Sequence, residues 1–433
     1  MKMDKKILQV ALDFVDLNRA MQMAEEAAAG GADWLEAGTP LIKSAGLDAV
    51  RQLKSKFPNL TIVADMKIMD AGRTEVEYAA KAGAGVVTVL AAASDTTIAE
   101  CVEAARQYGV KIAADLINSP DPVSRAQELV KLGVDYIDVH TPIDMQMQGV
   151  FPFDILKRIA EVVDIPICVA GGITSETAAD AVNAGGSVII VGGSITKSKD
   201  AVQATKDMRQ AIDSGVGIDS SSFRRATAEN IREILMQVSS ANVSDAMHRG
   251  GVAVGIKSLA RGMRCCGPAF TVRTSPGDWA KPVEAIDLAS PGDVLVIDAG
   301  GVPPSPWGEL ATTTARNRKL AGVLIDGAAR DTMEIIEMNF PVFCSSYCPN
   351  AGEPKGHGEI GVNLRICHGM VNVAPGDWIL ADDDGVVVIP AAQAVEITNR
   401  AMNVLESENR IREEINRGST LAQVVDLLKW EKK

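Results

Sequence analysis

Ile7-Leu-Gln-Val-Ala-Leu-Asp13 is a short run of β-prone apolar residues that stops at a carboxylate. Seven more runs of this kind follow, starting near residues 33 (DWLEAG), 61 (TIVAD), 86 (VVTVL), 111 (KIAAD), 135 (DYIDVH), 166 (PICVA) and 188 (VIIVG). Adjacent starts lie 22 to 31 residues apart, enough for a helix and two turns between neighbouring strands. Each run is apolar on both faces, as parallel strands covered by helices must be. The segments between them carry a helical pattern. Over 19–30, Ala20, Met23, Ala24, Ala27 and Ala28 fall at helical spacing, and Gly30-Gly31 stops the helix. Eight such units in about 200 residues predict a (β/α)8 TIM barrel. An open doubly wound sheet normally stops at fewer strands and wants a glycine-rich turn after the first; Ala11-Leu12-Asp13 supplies none.

The rhythm breaks at 214–222, SGVGIDSSS, a small and polar stretch that reads as a linker. The division expected is therefore a barrel over 1–213, a linker over 214–222 and a second domain over 223–433. That domain opens with an amphipathic helix over 227–238. It continues with strand-rich segments punctuated by Pro-Gly-Asp at 276–278, 291–293 and 375–377, and closes with helices over 391–416 and 421–430.

A chain of 433 residues is too long for one ordinary domain and suggests roughly two or three. Of 433 residues 47% are hydrophobic, and 56 Asp+Glu against 43 Lys+Arg give a net charge of −13. An acidic surface repels a phosphate backbone, so no nucleic-acid partner is expected. No window has the roughly 20 uncharged apolar residues of a membrane span, and the start has no signal-peptide core, so a cytoplasmic protein with no membrane partner is expected. The seven cysteines form neither a zinc-finger pattern nor a disulfide framework and read as reduced thiols.

In a β/α barrel the strand C-termini converge on one face, so polar residues ending apolar runs carry the chemistry. Asp13, Glu36, Asp65, Asp115, Asp138 and His140 hold such places. The densest group is Asp65-Met-Lys67-Ile-Met-Asp70; in extended chain Asp65 and Lys67 point to one side, setting an ammonium beside a carboxylate. Glu36 and Asp65, from adjacent strands, form an oxygen site suited to Mg²⁺. Gly171-Gly172 after the seventh run and Gly192-Gly193 after the eighth offer backbone amides to a phosphate.

These residues carry a resemblance. The Asp-x-Lys-x-x-Asp at 65–70, Glu36 and Val139-His140-Thr141 resemble the orotidine-5′-phosphate decarboxylase superfamily. Within it QVALD (9–13), VADMKIMDAG (63–72), ADLI (114–117) and DVHT (138–141) are similar to the 3-hexulose-6-phosphate synthases, over a span from Lys6 to about Asp213. The resemblance implies a reversible, Mg²⁺- or Mn²⁺-dependent aldol reaction of formaldehyde with D-ribulose 5-phosphate. It makes Glu36 and Asp65 metal ligands, His140 the proton-transfer residue and Lys67 the partner of oxyanion charge. The resemblance also implies that Asp70 reaches a partner subunit's site across a dimer interface, and that Asp13 and the four loop glycines contact the sugar phosphate. Two departures bear on this. Ile143 stands where the related 3-keto-L-gulonate-6-phosphate decarboxylases carry arginine, which favours the synthase. Gly193 stands where relatives carry an arginine on the phosphate. Metal-free orotidine decarboxylation is disfavoured by Glu36.

In the second half Gly308-Glu309-Leu310 opens a helical run, and an apolar strand then leads to Asp326-Gly-Ala-Ala-Arg330-Asp331. A helix start near Leu310 suits an anion, Arg330 offers a fork to a carboxylate, Asp331 can hold a divalent metal and Glu309 can act as a base through a water. With Ser244-Asp-Ala-Met247, Asp298-Ala-Gly-Gly301, Val373-Ala-Pro-Gly-Asp377 and Ala381-Asp-Asp-Asp-Gly385, this resembles the RraA-like family, which includes class II 4-hydroxy-4-methyl-2-oxoglutarate aldolases. The resemblance implies a layered α/β trimer in which Arg330 binds a 2-oxo acid, Asp331 ligates Mg²⁺ and Glu309 orients the water. Glu359 is a candidate to complete a neighbour's site. The same fold serves a non-catalytic regulator that binds an endoribonuclease, so a binding module is the alternative. Methyl transfer finds no support, because Val296-Ile-Asp-Ala-Gly-Gly301 lacks the longer glycine pattern of a nucleotide-binding turn.

Overall fold

The computed structural model describes residues 5–148, 151–219, 225–416 and 418–424. It divides into two compact units: Met1–Gln146, Val150–Phe223 and Glu406–Lys433 in one, Met147–Gly149 and Arg224–Leu405 in the other. The described residues from Glu406 onward, which the sequence pattern assigns to the second domain, thus group with the barrel. Residues 220–222 of the expected linker and 425–430 of the expected last helix lie outside the described residues; the part described is a helical turn, Leu421–Val424.

Eight parallel strands close the first unit into a barrel: β1 (Ile7–Leu12), β2 (Trp34–Ala37), β3 (Thr61–Ile68), β4 (Val86–Leu90), β5 (Lys111–Asp115), β6 (Tyr136–His140), β7 (Ile167–Ala170) and β8 (Val188–Val191). Side-chain caps start four of the helices of this unit. Asp16 accepts the Arg19 amide at the head of Leu17–Gly30, and Ser94, Asp121 and Asp200 do the same for later helices. One phase of each strand, including Leu8, Val10, Leu35, Ile62, Val87, Ile112, Ile137, Val169 and Ile189, packs outward against helical Met23, Val76, Ile98 and Leu129.

The inward phase is apolar only at its base. Ile7, Trp34, Val63, Val86, Ala113, Cys168 and Val188 form a floor, in which the Trp34 and Tyr136 rings meet edge to face at 5.6 Å. Two residues further along the same phase stand Gln9, Glu36, Asp65, Thr88, Asp115 and Asp138, all buried. The apolar reading of both faces therefore fails one layer above the floor, where the period-2 alternation delivers polar groups to the interior. β3 also departs from regular chain. Its pairing with β4 shifts register between Ala64 and Ile68, and Lys67 has φ of 48°. Asp65 and Lys67 meet through this bulge rather than through simple strand alternation.

The second unit is a layered α/β domain with sheet order β18-β17-β10-β11-β12-β13-β9 and β14 on β10. Its strands are β9 (Lys257–Ser258), β10 (Cys265–Thr274), β11 (Val294–Asp298), β12 (Gly322–Ala329), β13 (Val342–Tyr347), β14 (Gly358–Ile360), β15 (Leu364–Ile366), β16 (Val371–Val373), β17 (Trp378–Asp382) and β18 (Gly385–Ile389). β15 and β16 form a separate hairpin. β10 to β13 are parallel and are linked by the helices Ala280–Leu288, Glu309–Asn317 and Thr332–Glu337. Alternate residues of β11 serve opposite layers. Val294 and Val296 join Ile379 and Val388, while Leu295 and Ile297 join helical Ala285, Ala315 and Ile335.

The three Pro-Gly-Asp sites are tight turns. Gly277, Gly292 and Gly376 take φ of 79°, 92° and 86°, and the amides of Asp278, Asp293 and Asp377 bond to the carbonyls of Ser275, Ser290 and Ala374 at 3.0–3.1 Å. The aspartates also work as acceptors: Asp278 receives the amides of Lys355, Gly356 and His357 at 2.8–3.2 Å. The helix expected over 227–238 is only Ile231–Leu235. Asn230 takes the Thr227 amide at 2.6 Å and turns the chain before it, and Arg264 bonds the Leu235 and Val238 carbonyls after it. The helix expected from 391 begins as a 3₁₀ turn, Ala391–Gln393, and becomes α-helical over Ala394–Asn416. All seven cysteines are free, and no helix among the described residues is long and apolar enough to cross a membrane.

Candidate functional site

The polar layer above the barrel floor holds a network centred on Asp65, Lys67 and Asp115, with Gln9 and Glu36 bonded to each other beside it. Lys67 Nζ lies 2.8 Å from Asp115 Oδ2 and 3.2 Å from Asp65 Oδ1. His140 Nδ1 faces the same Asp115 oxygen at 3.3 Å, and the other Asp115 oxygen takes the Ile117 amide at 2.8 Å. Thr39 donates to Asp65 Oδ2 at 2.6 Å. Thr88 donates to Asp65 Oδ1 at 2.8 Å and accepts the Lys67 amide at 3.0 Å, so it holds both arms of the bulge. Gln9 donates to Glu36 Oε2 at 2.6 Å.

Burial and like charge set the electrostatics. Burial, with Asp65 and Asp13 nearby, pushes the Glu36 carboxyl well above the usual carboxylate range. Burial and Asp115 push Asp138 up to about 7, and its Oδ1 is buried with no hydrogen-bond partner. Burial opposes charge on Lys67, but Asp65 and Asp115 outweigh it and hold the ammonium charged. His140 is likewise raised: burial works against its charged form, and the Asp115 hydrogen bond and charge prevail. Burial opposes ionisation of Asp115 too, yet His140 and Lys67 keep its pKa low.

Four buried carboxyl groups thus stand with one ammonium and one imidazole, a surplus of acidic groups, and one carboxyl oxygen, Asp138 Oδ1, is orphaned. A divalent cation would relieve that surplus, so this donor set fits one. Asp115, Asp138 and His140 have ligand atoms within 4.8 Å of one another. Lys67 lies on both Asp65 and Asp115, so its charge does not favour either set of carboxylates as the cation's ligands.

Of the residues singled out in the sequence, Glu36, Asp65, Lys67 and His140 converge. Asp13 stands at the rim, close enough for its charge to raise Glu36. A Cβ on Gly192 would lie 3.8 Å from Asp13 Oδ2. Gly171 and Gly172 form the loop after β7, which is tied to the β8 loop by the Ser194 hydroxyl on the Ile173 carbonyl at 2.6 Å. Asp70 does not join the network. It is exposed, next to exposed Met69, and its carboxylate accepts the Ala71 amide. The motif reading gave no role to Thr39, Thr88 or Gln9 and only a place to Asp115, the hub. For Gln9, Thr88 and Asp115 the signal was the inward phase of the strand, whereas Thr39 opens a helix and carried none.

In the second unit Arg330 Nε lies 3.4 Å from Asp331 Oδ2, which also accepts the Glu309 amide at 3.1 Å. The first amide of the helix Glu309–Asn317 therefore goes to Asp331 rather than to an external anion. A Cβ on Gly308 would stand 2.5 Å from the same oxygen, so this close approach requires glycine. Glu309 is half-buried and accepts the Thr313 hydroxyl at 2.9 Å, whereas Leu310 is 78% exposed. Glu359 faces Arg273 at 3.9 Å.

Known proteins align with both halves. A family model described as orotidine 5′-phosphate decarboxylase / HUMPS family matches residues 6–208, and an RraA-like model, Aldolase/RraA, matches 240–388. A 3-hexulose-6-phosphate synthase of Bacillus subtilis is 41% identical over 209 residues, 48% of this chain and 99% of that protein. One from Mycobacterium gastri is 38% identical over 205 residues, 47% of this chain and 99% of that protein. Among solved structures, 3-hexulose-6-phosphate synthase from Salmonella typhimurium aligns at 35% identity over 50% of this chain and 100% of its own, with a TM-score of 0.47. The RNA-processing inhibitor RraA from Thermus thermophilis aligns at 29% identity over 35% of this chain and 92% of its own, with a TM-score of 0.33. The chain belongs, through its barrel, to the orotidine 5′-phosphate decarboxylase / HUMPS family of enzymes, and carries an RraA-like domain as its second half.

Proposed function

We propose that the barrel is a 3-hexulose-6-phosphate synthase, a lyase that joins formaldehyde to D-ribulose 5-phosphate to give D-arabino-hex-3-ulose 6-phosphate, and also runs in reverse. The observation that carries this reading is the network of Asp65, Lys67, Asp115 and His140, with buried Glu36 within reach of their charge, at the barrel mouth of a chain whose relatives bear that name. A C–H beside a ketone is weakly acidic, so the site must take its proton and hold the enediolate that results. Glu36 and Asp65 would hold Mg²⁺ or Mn²⁺, which supplies positive charge where the enediolate oxygens become negative. His140, oriented by Asp115, takes the C1 proton. The enediolate C1 then bonds to the formaldehyde carbon, and the electron pair of that C=O bond moves to oxygen. His140 returns its proton to this alkoxide, so the proton count closes. Lys67, fixed between Asp65 and Asp115, pairs with developing oxyanion charge, which is favourable in a site with little water.

Asp13 and the two glycine loops receive the sugar phosphate on this reading. Asp70, exposed next to exposed Met69, extends toward a second barrel in a dimer on this reading. For the RraA-like half the reading is a 2-oxo acid aldolase or decarboxylase, with Arg330 on the carboxylate, Asp331 on a divalent cation and Glu309 on a water. Leu310 and Met333, close in sequence to Glu309 and Asp331, are exposed, and on this reading they face a neighbouring subunit.

The test of the first activity is formaldehyde loss in the presence of ribulose 5-phosphate and Mg²⁺. Consumption that Glu36→Gln abolishes supports the synthase. Carbon dioxide release from 3-keto-L-gulonate 6-phosphate, with no formaldehyde loss, would replace it by the decarboxylase reading.

A further inference from the structure

The β8 loop holds a lysine that the site described so far does not use. Past Gly192 and the single turn Gly193–Thr196, Lys197 folds back over the loop. Its Cε, Cδ and Nζ lie 3.6, 3.7 and 3.8 Å from where a Cβ on Gly193 would stand. A carboxylate oxygen, Asp13 Oδ2, lies 3.8 Å from where a Cβ on the preceding Gly192 would stand. The barrel mouth is otherwise rich in negative charge, with Glu36, Asp65, Asp115 and Asp138 buried within it. A phosphate dianion settling on this loop needs a local cation to offset that field, and Lys197 brings one to the loop backbone.

Lys197 is also held from an unexpected quarter. Its Nζ is 3.7 Å from Glu406 Oε2, with the two side chains 29% and 11% exposed. That is a loose ion pair, longer than a hydrogen bond of about 2.7–3.2 Å. Glu406 lies in the helix Ala394–Asn416, whose residues from 406 onward belong to the barrel unit. The same segment is fastened to the first barrel helix by Arg19 and Glu414 at 2.9 Å. A residue more than 200 positions away in sequence thus supplies the counter-charge of a lysine over the phosphate loop.

Resting on the synthase reading for the identity of the sugar phosphate, we propose that Lys197 is the cation that receives the substrate's phosphate, and that Glu406 is the counter-ion the phosphate displaces. Lys197 binds the phosphate, and Glu406 is a positioning residue that sets the affinity. It holds the ammonium over the loop and, by its own charge, weakens anion binding there. Removing that charge strengthens phosphate binding; removing the ammonium weakens it.

The experiment uses the full chain and two readouts: KM for ribulose 5-phosphate, and binding of inorganic phosphate by titration calorimetry, which needs no turnover. Lys197→Met raises KM at least tenfold and weakens phosphate binding by a similar factor, and Lys197→Arg restores most of both. Glu406→Gln lowers KM and tightens phosphate about threefold or more. In the double variant the Glu406→Gln gain disappears. Unchanged phosphate binding in Lys197→Met, or weaker binding in Glu406→Gln, overturns the proposal. A wild-type chain that binds phosphate through Lys197 but turns over no formaldehyde overturns the synthase reading and leaves the phosphate site standing.

Discussion

The Thr88 hydroxyl accepts the Lys67 amide at 3.0 Å while donating to Asp65 at 2.8 Å. One β4 side chain therefore secures the β3 bulge in which a non-glycine residue has φ of 48°. A left-handed lysine costs roughly 1–2 kcal/mol, which its surroundings must offset.

Thr88→Val keeps the shape and removes both bonds. A fall in turnover of about 10- to 100-fold is expected, as for loss of a residue that orients reacting groups. A stability loss of about 1–3 kcal/mol should accompany it. Thermal melts and formaldehyde assays check both. Wild-type turnover would mean that the bulge needs no support from Thr88.

Asp115 raises the His140 pKa against the opposing effect of burial. A raised folded-state value means that the contribution of His140 to stability is fully present below its unfolded pKa of about 6.5, and is lost as pH rises through the folded value. In Asp115→Asn the His140 pKa should fall, and the matching limb of the pH–rate profile should move to lower pH. Imidazole NMR titration is practical because the chain has only 4 histidines. An unmoved His140 resonance would contradict the pairing.

Asp278 gathers the amides of Ala280, Lys355, Gly356 and His357. Burial opposes its ionisation, yet these backbone donors hold its pKa below the ordinary value. Its contribution is therefore present above the unfolded pKa of about 3.9 and is lost as pH falls through the lower folded value. Asp278→Ala should destabilise the second unit by about 1–3 kcal/mol and increase amide exchange at 355–357. Hydrogen exchange that stays unchanged there would refute this role.

In the RraA-like half Arg330→Ala should reduce pyruvate release from oxaloacetate at least 100-fold. Glu36→Gln should leave that release intact while abolishing formaldehyde consumption. If the wild-type chain releases no pyruvate, the second half is a binding module.

The barrel was legible because its eight runs and capped helices repeat with one period, and the side chains at strand ends fall where β/α geometry collects them. Glu36, Asp65, Lys67 and His140 could be found that way. The bulge at Lys67 could not, since the Thr88 hydroxyl that bonds to both its arms lies on the next strand. Asp115 looked equal to the other strand-end carboxylates until contact with both Lys67 and His140 made it the hub. In the second half Pro-Gly-Asp announced its turns, because proline and glycine meet their backbone requirements locally. The short Ile231–Leu235 helix was misjudged because apolar periodicity does not register the Asn230 and Arg264 hydrogen bonds that limit it. Glu406 was unreadable as a barrel residue, because its pairing with Lys197 depends on where a distant helix comes to lie.

The most direct test of carbon–carbon bond formation is to incubate the full chain with ¹³C-formaldehyde, ribulose 5-phosphate and Mg²⁺ and to follow the label by NMR. The account predicts that the formaldehyde signal is replaced by one labelled hydroxymethyl carbon of a hexulose 6-phosphate, in wild type and not in Glu36→Gln. A formaldehyde signal that persists with wild-type protein, or a labelled product that forms equally in Glu36→Gln, would contradict it.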